Sequence, residues 1–297
     1  MNLKRLFGII LLGLLSIQFN ITSCSSGTDA DDDGSKASVK DPTNEYQAVV
    51  EVVSFGGVSG CSIAAVVLNN ESVIDAVIHL NDVTLTNDTN NFLAGLYSDS
   101  LFELSYESGT DYTLEIFHLG KKIASGKAKM PSTPKFTNLD NIRHHNLNEN
   151  MTVTWEKIEN ATSLELTIKG EVYDPAQDDY SSREYSTELL SPTSTSFTIP
   201  DTFFSIPGEY TLGLVAYYGV NSGAKTNITD GSSPYTKSYN MDGAAGVFLA
   251  ANLSSYEGES IIVGAPSTIM KNSKAAKNRP MFKDILIKQH KKYFKTK

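Results

Sequence analysis

From Tyr46 to Ala265 the apolar positions fall in short runs rich in Val, Ile, Thr, Tyr and Phe, cut at intervals by Gly, Asn, Asp and Pro. That punctuation belongs to all-β domains, and no stretch of helical period interrupts it. Within residues 45–132 the runs predict strands at Tyr46–Ser54, Ser62–Leu68, Ala76–Leu80, Val83–Thr86, Leu101–Tyr106, Tyr112–His118 and Lys121–Lys129. Tyr112 to Phe117 alternates with period two, and Leu119-Gly120-Lys121 turns the chain back into the next run, a hairpin signal. Within residues 133–266 the runs predict strands at Met151–Trp155, Ala161–Ile168, Ser196–Pro200 and Thr211–Tyr218, with Ala245–Leu253 and Glu259–Val263 competing for the last place. Between the two sets, Met130-Pro131-Ser132-Thr133-Pro134 carries two prolines, which stiffen a linker, so two tandem β-sandwiches are expected end to end.

The residues before Tyr46 have a different character. Lys4 and Arg5 precede an uncharged apolar run, Leu6 to Phe19 (LFGIILLGLLSIQF). That run is shorter than the roughly 20 residues a membrane span needs, and it suits the core of an export signal. Ile21-Thr22-Ser23-Cys24 follows, and these four residues resemble the lipobox of bacterial lipoproteins. The resemblance implies removal of residues 1–23, a diacylglycerol thioether on Cys24, and a further acyl chain such as palmitate. Several chains anchor stably where one does not. Residues 24–44 contain Asp29 and Asp31 to Asp33 and almost no large apolar side chain, so they are expected to form a flexible tether. Their acidic cluster resembles the signal that sends Bacteroidota lipoproteins to the outer face of the outer membrane. Asp29, Asp31, Asp33 and Gly34 also match the opening of a calcium loop, but the twelfth position is Lys40 where a bidentate Glu is needed. The expected location is therefore the outer membrane, lipid-anchored and surface-exposed, with the membrane itself as a partner through Cys24.

Within 133–266 a more specific pattern appears. The Trp155 run, the aliphatic run Leu164 to Ile168, the Thr198-Ile199-Pro200 element, and Gly208-Glu209-Tyr210 ahead of an alternating strand resemble a fibronectin type III domain. The resemblance implies an Ig-like sandwich with Trp155 in the core and Tyr210 as a tyrosine corner, both structural roles. Two features depart from that family: the stretch Gly170 to Thr195 is long, and the last strand is delayed. The whole order of parts also resembles a group of Bacteroidota two-sandwich lipoproteins with no settled activity.

Composition narrows the function classes. Of 297 residues, 274 remain after removal of the first 23, and only two are cysteines. With Cys24 taken by lipid, Cys61 has no partner for a disulfide and is expected as a small buried residue in a strand. Residues 267–297 hold 10 Lys/Arg against one acid, which leaves 15 basic and 33 acidic residues in the rest, a net of −18. An acidic body argues against nucleic acid as a partner. No hydrolase elbow, phosphate loop, zinc-ligand spacing or cofactor motif is present, and His144-His145 lacks acidic or Cys neighbours. No catalytic residue, metal or cofactor is therefore assigned.

The best candidate for ligand contact is Glu171 to Glu188, where Tyr173, Tyr180 and Tyr185 are interleaved with Asp174, Asp178 and Asp179. Tyrosine offers stacking area with a polar tip, and carboxylates accept sugar hydroxyls. The alternative is a solvated hairpin whose tyrosines cover the sheet edge. The tail beyond Pro266 could form a short basic amphipathic helix over Pro280–Tyr293, with Phe282, Ile285, Leu286 and Tyr293 near one face, or stay disordered. Together these features point to a non-enzymatic envelope lipoprotein that binds or presents a glycan or a protein. The rival expectations are a glycan hydrolase or peptidase with a shallow cleft, and a structural spacer.

Overall fold

A computed structural model describes residues 46–57, 59–69, 71–87, 95–99, 103–174, 179–220, 240–255 and 258–264. The signal and tether with Cys24, residue Asp178 and the basic tail 267–297 lie outside the described residues. Among the described residues the chain is all-β, and no helix is long and apolar enough to cross a membrane.

The first body begins with β1 (Tyr46–Phe55) and β2 (Ser59–Leu68), an antiparallel pair in continuous register. The chain continues through β3 (Glu71–Ser72), β4 (Val77–Leu80), β5 (Val83–Asn87), β6 (Leu96–Ser98), β7 (Asp111–His118) and β8 (Lys121–Lys129). β5 pairs with both β4 and β6, so one ribbon folds over itself into two layers. Val50, Val52 and Val66 from one layer then meet Ile78, Leu114 and Ile116 from the other in one apolar core. The β7–β8 hairpin closes on Leu119 and Gly120, at φ 49 and 73. Two positive φ values are what a two-residue hairpin matched to strand twist requires.

Of the predicted strand Leu101–Tyr106, Leu101 and Phe102 lie outside the described residues, and Glu103–Tyr106 is not a strand; the described strand of this region is β6, before it. Asp99 explains the difference. Its buried carboxylate accepts the N–H groups of Glu103 and Leu104 at 3.2 and 3.0 Å, which takes those two donors away from any strand partner. Leu104 and Tyr106 are still buried, as the apolar pattern suggested, but from irregular backbone.

The second body follows the linker. It comprises the short helix α1 (Leu139–Ile142), β9 (His144–His145), β10 (Met151–Thr154), β11 (Ser163–Asp174), β12 (Asp179–Ser186), β13 (Ser196–Ile199) and β14 (Gly208–Tyr218). β10 and β13 form a two-stranded layer facing the larger one. Trp155 is buried between the layers, and its indole N–H donates to the Ser194 carbonyl at 2.8 Å. Tyr210 is the corner the sequence implied: its hydroxyl donates to the Ile206 carbonyl at 2.9 Å. The Tyr210 ring lies over its cross-strand partner Gly170, where a Cβ would sit 2.6 Å from the ring.

Three further strands change the expected division of the chain. β15 (Met241–Asp242) pairs with β8, and β16 (Ala245–Leu253) pairs in parallel with β1 over nine positions. β17 (Glu259–Val263) pairs with β14. Both candidates for the last strand are therefore strands, in different places. The expected boundary at 132/133 assigns all of 133–266 to the second sandwich, whereas Met241, Ala244, Phe248 and Ala250 belong to the first core. The physical reason is burial on both faces. A strand written AGVFLAANL has no polar side to give to solvent, and only a central sheet position covers both faces. β16 also pairs antiparallel with the end of β14, from Val215↔Leu253 to Tyr218↔Ala250. The two bodies thus share one sheet in the order β12-β11-β14-β16-β1-β2-β6 and are not joined by the linker alone. Asn252 ties the linker to this seam, its amide donating to the Pro131 carbonyl at 2.9 Å.

Candidate functional site

The tyrosine-rich segment forms the β11–β12 hairpin at the edge of the shared sheet. Register places Tyr173 opposite Tyr180 and Asp174 opposite Asp179. Tyr185 pairs with Ile168 instead, at a position of opposite parity to Tyr180 in β12. Its ring packs toward the second core, 5.8 Å from the Phe203 ring and 6.2 Å from that of Phe197. The segment is therefore split by strand periodicity: Tyr173 and Tyr180 are brought together, and Tyr185 serves the fold. Arg183 pins the base of the hairpin, with one guanidinium nitrogen donating to Ser205 Oγ at 2.7 Å and its carbon 5.5 Å from the centre of the Phe203 ring.

His144-His145 is accounted for structurally. It forms β9, parallel to β17, and His145 sits edge-on to Phe204 with its Nε2 3.0 Å from the Glu149 carbonyl. Among the described residues no three His, Cys, Asp or Glu side chains group so as to hold a metal ion. A second histidine makes a longer chain of contacts. Tyr46 Oη lies 2.9 Å from His118 Nδ1, and His118 Nε2 lies 3.1 Å from Asp75 Oδ1. These contacts fasten the first residue of β1 to the end of β7.

A second group of ionisable side chains lies away from the hairpin. Glu51 sits in the middle of β1 and is 2% exposed, and its Oε2 has no hydrogen-bond partner among the described residues. Burial pushes its carboxyl up to about 8. Glu165 of β11 is also raised by burial, although Tyr217 donates a hydrogen bond to its Oε2 at 2.8 Å. The Tyr217 hydroxyl is held well above its ordinary value, first by burial and then by the charge of Glu165. Cys61, opposite Val53 in the register, has its thiol pushed up, first by burial and then by the charge of Glu51. These residues share odd-numbered positions across β11, β14, β1 and β2, on the face of the shared sheet turned away from the two cores. A signal was present in the sequence: Glu51 interrupts AVVEVV, where a carboxylate on either face would be flanked by valines.

No family model matches this chain, and no curated protein matches it. Among solved structures it is similar to the FN1–FN3 domains of chicken CNTN1, at 9% identity and a TM-score of 0.25, over 61% of this chain and 65% of that one. It is also similar to trypsin-activated alpha-2-macroglobulin from Escherichia coli, at 9% identity and a TM-score of 0.20, over 72% of this chain and 16% of that one. The chain thus spans less than two thirds of the length of either. The β-sandwich architecture rests on the strand pairing described above.

Proposed function

We propose that this chain is a non-enzymatic, lipid-anchored lipoprotein of the outer membrane that binds or presents a glycan or protein partner at the cell surface. The lipobox and the acidic tether carry the address. The observation that most supports the molecular role is the shared sheet, which links the central strand β1, the first described strand of the chain, through β16 and β14 to the β11–β12 hairpin at one edge. Such a sheet holds the hairpin at a fixed distance from the strand nearest the anchor. Edge strand β12 also leaves backbone donors and acceptors on its outer side, the group that strand-adding partners use.

The test is capture of the native lipoprotein from cross-linked cells, beside a variant carrying Tyr173→Ala and Tyr180→Ala and a Cys24→Ser variant. The expected result is a specific partner, or a glycan retained on an array, that the tyrosine double variant loses. Cys24→Ser should lose surface display while keeping the fold. Equal capture by wild type and double variant would contradict the assigned site. Hydrolysis of an envelope glycan or peptide by the purified protein would contradict the non-enzymatic role.

A further inference from the structure

The tip of the β7–β8 hairpin carries a residue that suits neither its backbone nor its surroundings. Leu119 stands there at φ 49, in the left-handed region that a large apolar residue rarely occupies. Among the described residues five other non-glycine positions have positive φ, and all are asparagine: Asn69, Asn81, Asn148, Asn160 and Asn240. Asparagine enters this region more readily, because its short polar side chain bonds locally. Leu119 is also 79% exposed, so no burial offsets the strain. Nothing in the fold calls for leucine at this turn.

Leu119 has neighbours of the same kind. The other exposed large hydrophobic side chains of the described residues are Ile74, at 57%, and Val77, at 45%. Val77 pairs with Phe117, two residues before Leu119, and Asp75, next to Ile74, lies 3.1 Å from His118 Nε2. All three exposed side chains thus gather at one end of the first body. The chain also enters the body at that end, since Tyr46 Oη lies 2.9 Å from Nδ1 of His118, the residue before Leu119. Of the charged groups there, Asp75 faces His118 and Glu115 pairs with Lys122. Lys121, beside the tip, is exposed and joins none of the ion pairs of the described residues.

We propose that this end of the first body is a membrane-contacting surface, with Leu119 inserted among lipid headgroups, Ile74 and Val77 behind it, and Lys121 meeting a lipid phosphate. Shape selects lipid over protein. A stable protein interface buries upwards of about 1,000 Å², which a projecting turn with three separate aliphatic side chains does not offer. A soft interface closes around such a tip instead. One leucine cannot hold a protein on a membrane, so the contact rests on the lipoprotein reading for its anchor: residues 24–45 lead directly into Tyr46, which places the patch where the tether begins. The anchor then supplies the affinity, and the patch sets how the body stands on the surface.

The test substitutes a chemical anchor, so that it does not depend on lipidation. The mature chain with Cys24→Ser and an amino-terminal histidine tag is held by a nickel-chelating lipid on phosphatidylcholine vesicles, with acyl chains brominated or not. Leu119→Trp is expected to lose about half of the emission it adds when the chains are brominated, and to shift to the blue. Asp82→Trp, in the β4–β5 turn at the opposite end of the body, and the buried Trp155 of wild type are expected to keep theirs. Absence of quenching at position 119, or equal quenching at position 82, would overturn the proposal. Leu119→Asn is expected to unfold at a higher temperature than wild type, because the turn then holds the residue its backbone favours. An equal or lower temperature would assign Leu119 to the fold and overturn the argument for contact. The mass of the native Cys24 peptide is a separate measurement: absence of acyl chains there would refute the lipoprotein reading whatever the vesicles show at Leu119.

Discussion

Gly246 of β16 lies so close to Ala48 of β1 that a Cβ at position 246 would run into the Ala48 carbonyl oxygen. Its φ of 138 is also one that side-chain-bearing residues rarely adopt. Glycine here permits the parallel pairing that makes one sheet of the two bodies. Gly246→Ala is expected to cost about 2–4 kcal/mol, from backbone strain plus the forced separation of the strands. The measurement is a urea titration beside Gly213→Ala, where nothing lies within 4 Å of the added methyl and little change is expected.

Tyr210 separates the corner's hydrogen bond from its packing. Tyr210→Phe keeps the ring over Gly170 and removes only the bond to the Ile206 carbonyl. The expected loss is about 1 kcal/mol in the same titration. Tyr210→Ala also removes a fully buried ring, and should cost about 3–5 kcal/mol.

Glu51 gives a pH dependence of definite sign. Its carboxyl titrates near 4.5 when exposed and is pushed up to about 8 in the fold. Between those values the folded state holds a proton that the unfolded state has lost, so this group's contribution is complete below 4.5 and is lost as pH rises through 8. Glu51→Gln is expected to match wild type near pH 4 and to exceed it increasingly toward pH 8, with a difference growing by up to about 1.4 kcal/mol per pH unit. Thermal unfolding at a series of pH values checks this. A difference that is flat with pH would contradict it.

What could be read from the chain alone was local. Trp155, Tyr210 and the Leu119-Gly120 turn each announce themselves within a few residues, because a core aromatic, a corner and a tight turn are set by neighbouring backbone. The swap of β16 into the first body left no such mark. AGVFLAANL reads as a strand buried on both faces, but a parallel partner some 200 residues earlier is chosen by packing that no local pattern encodes. The same holds for the candidate site. The richness in Tyr and Asp was visible, while the split between Tyr185 and the Tyr173–Tyr180 pair depended on where β12 begins its register. Asp99 shows the converse, since one buried carboxylate takes two backbone N–H groups, of Glu103 and Leu104, where the apolar pattern favoured a strand.

The central claim is that both sandwiches and the seam formed by β14, β16 and β1 are one structural unit, able to hold the edge hairpin rigidly with respect to β1. Hydrogen exchange followed by mass spectrometry across a denaturant series tests it most directly, comparing amides of β7 in the first body with those of β11 in the second. A single unit requires both sets to lose protection at the same denaturant concentration, together with those of β16. Two separate transitions, with β16 following neither body or only one of them, would contradict the account.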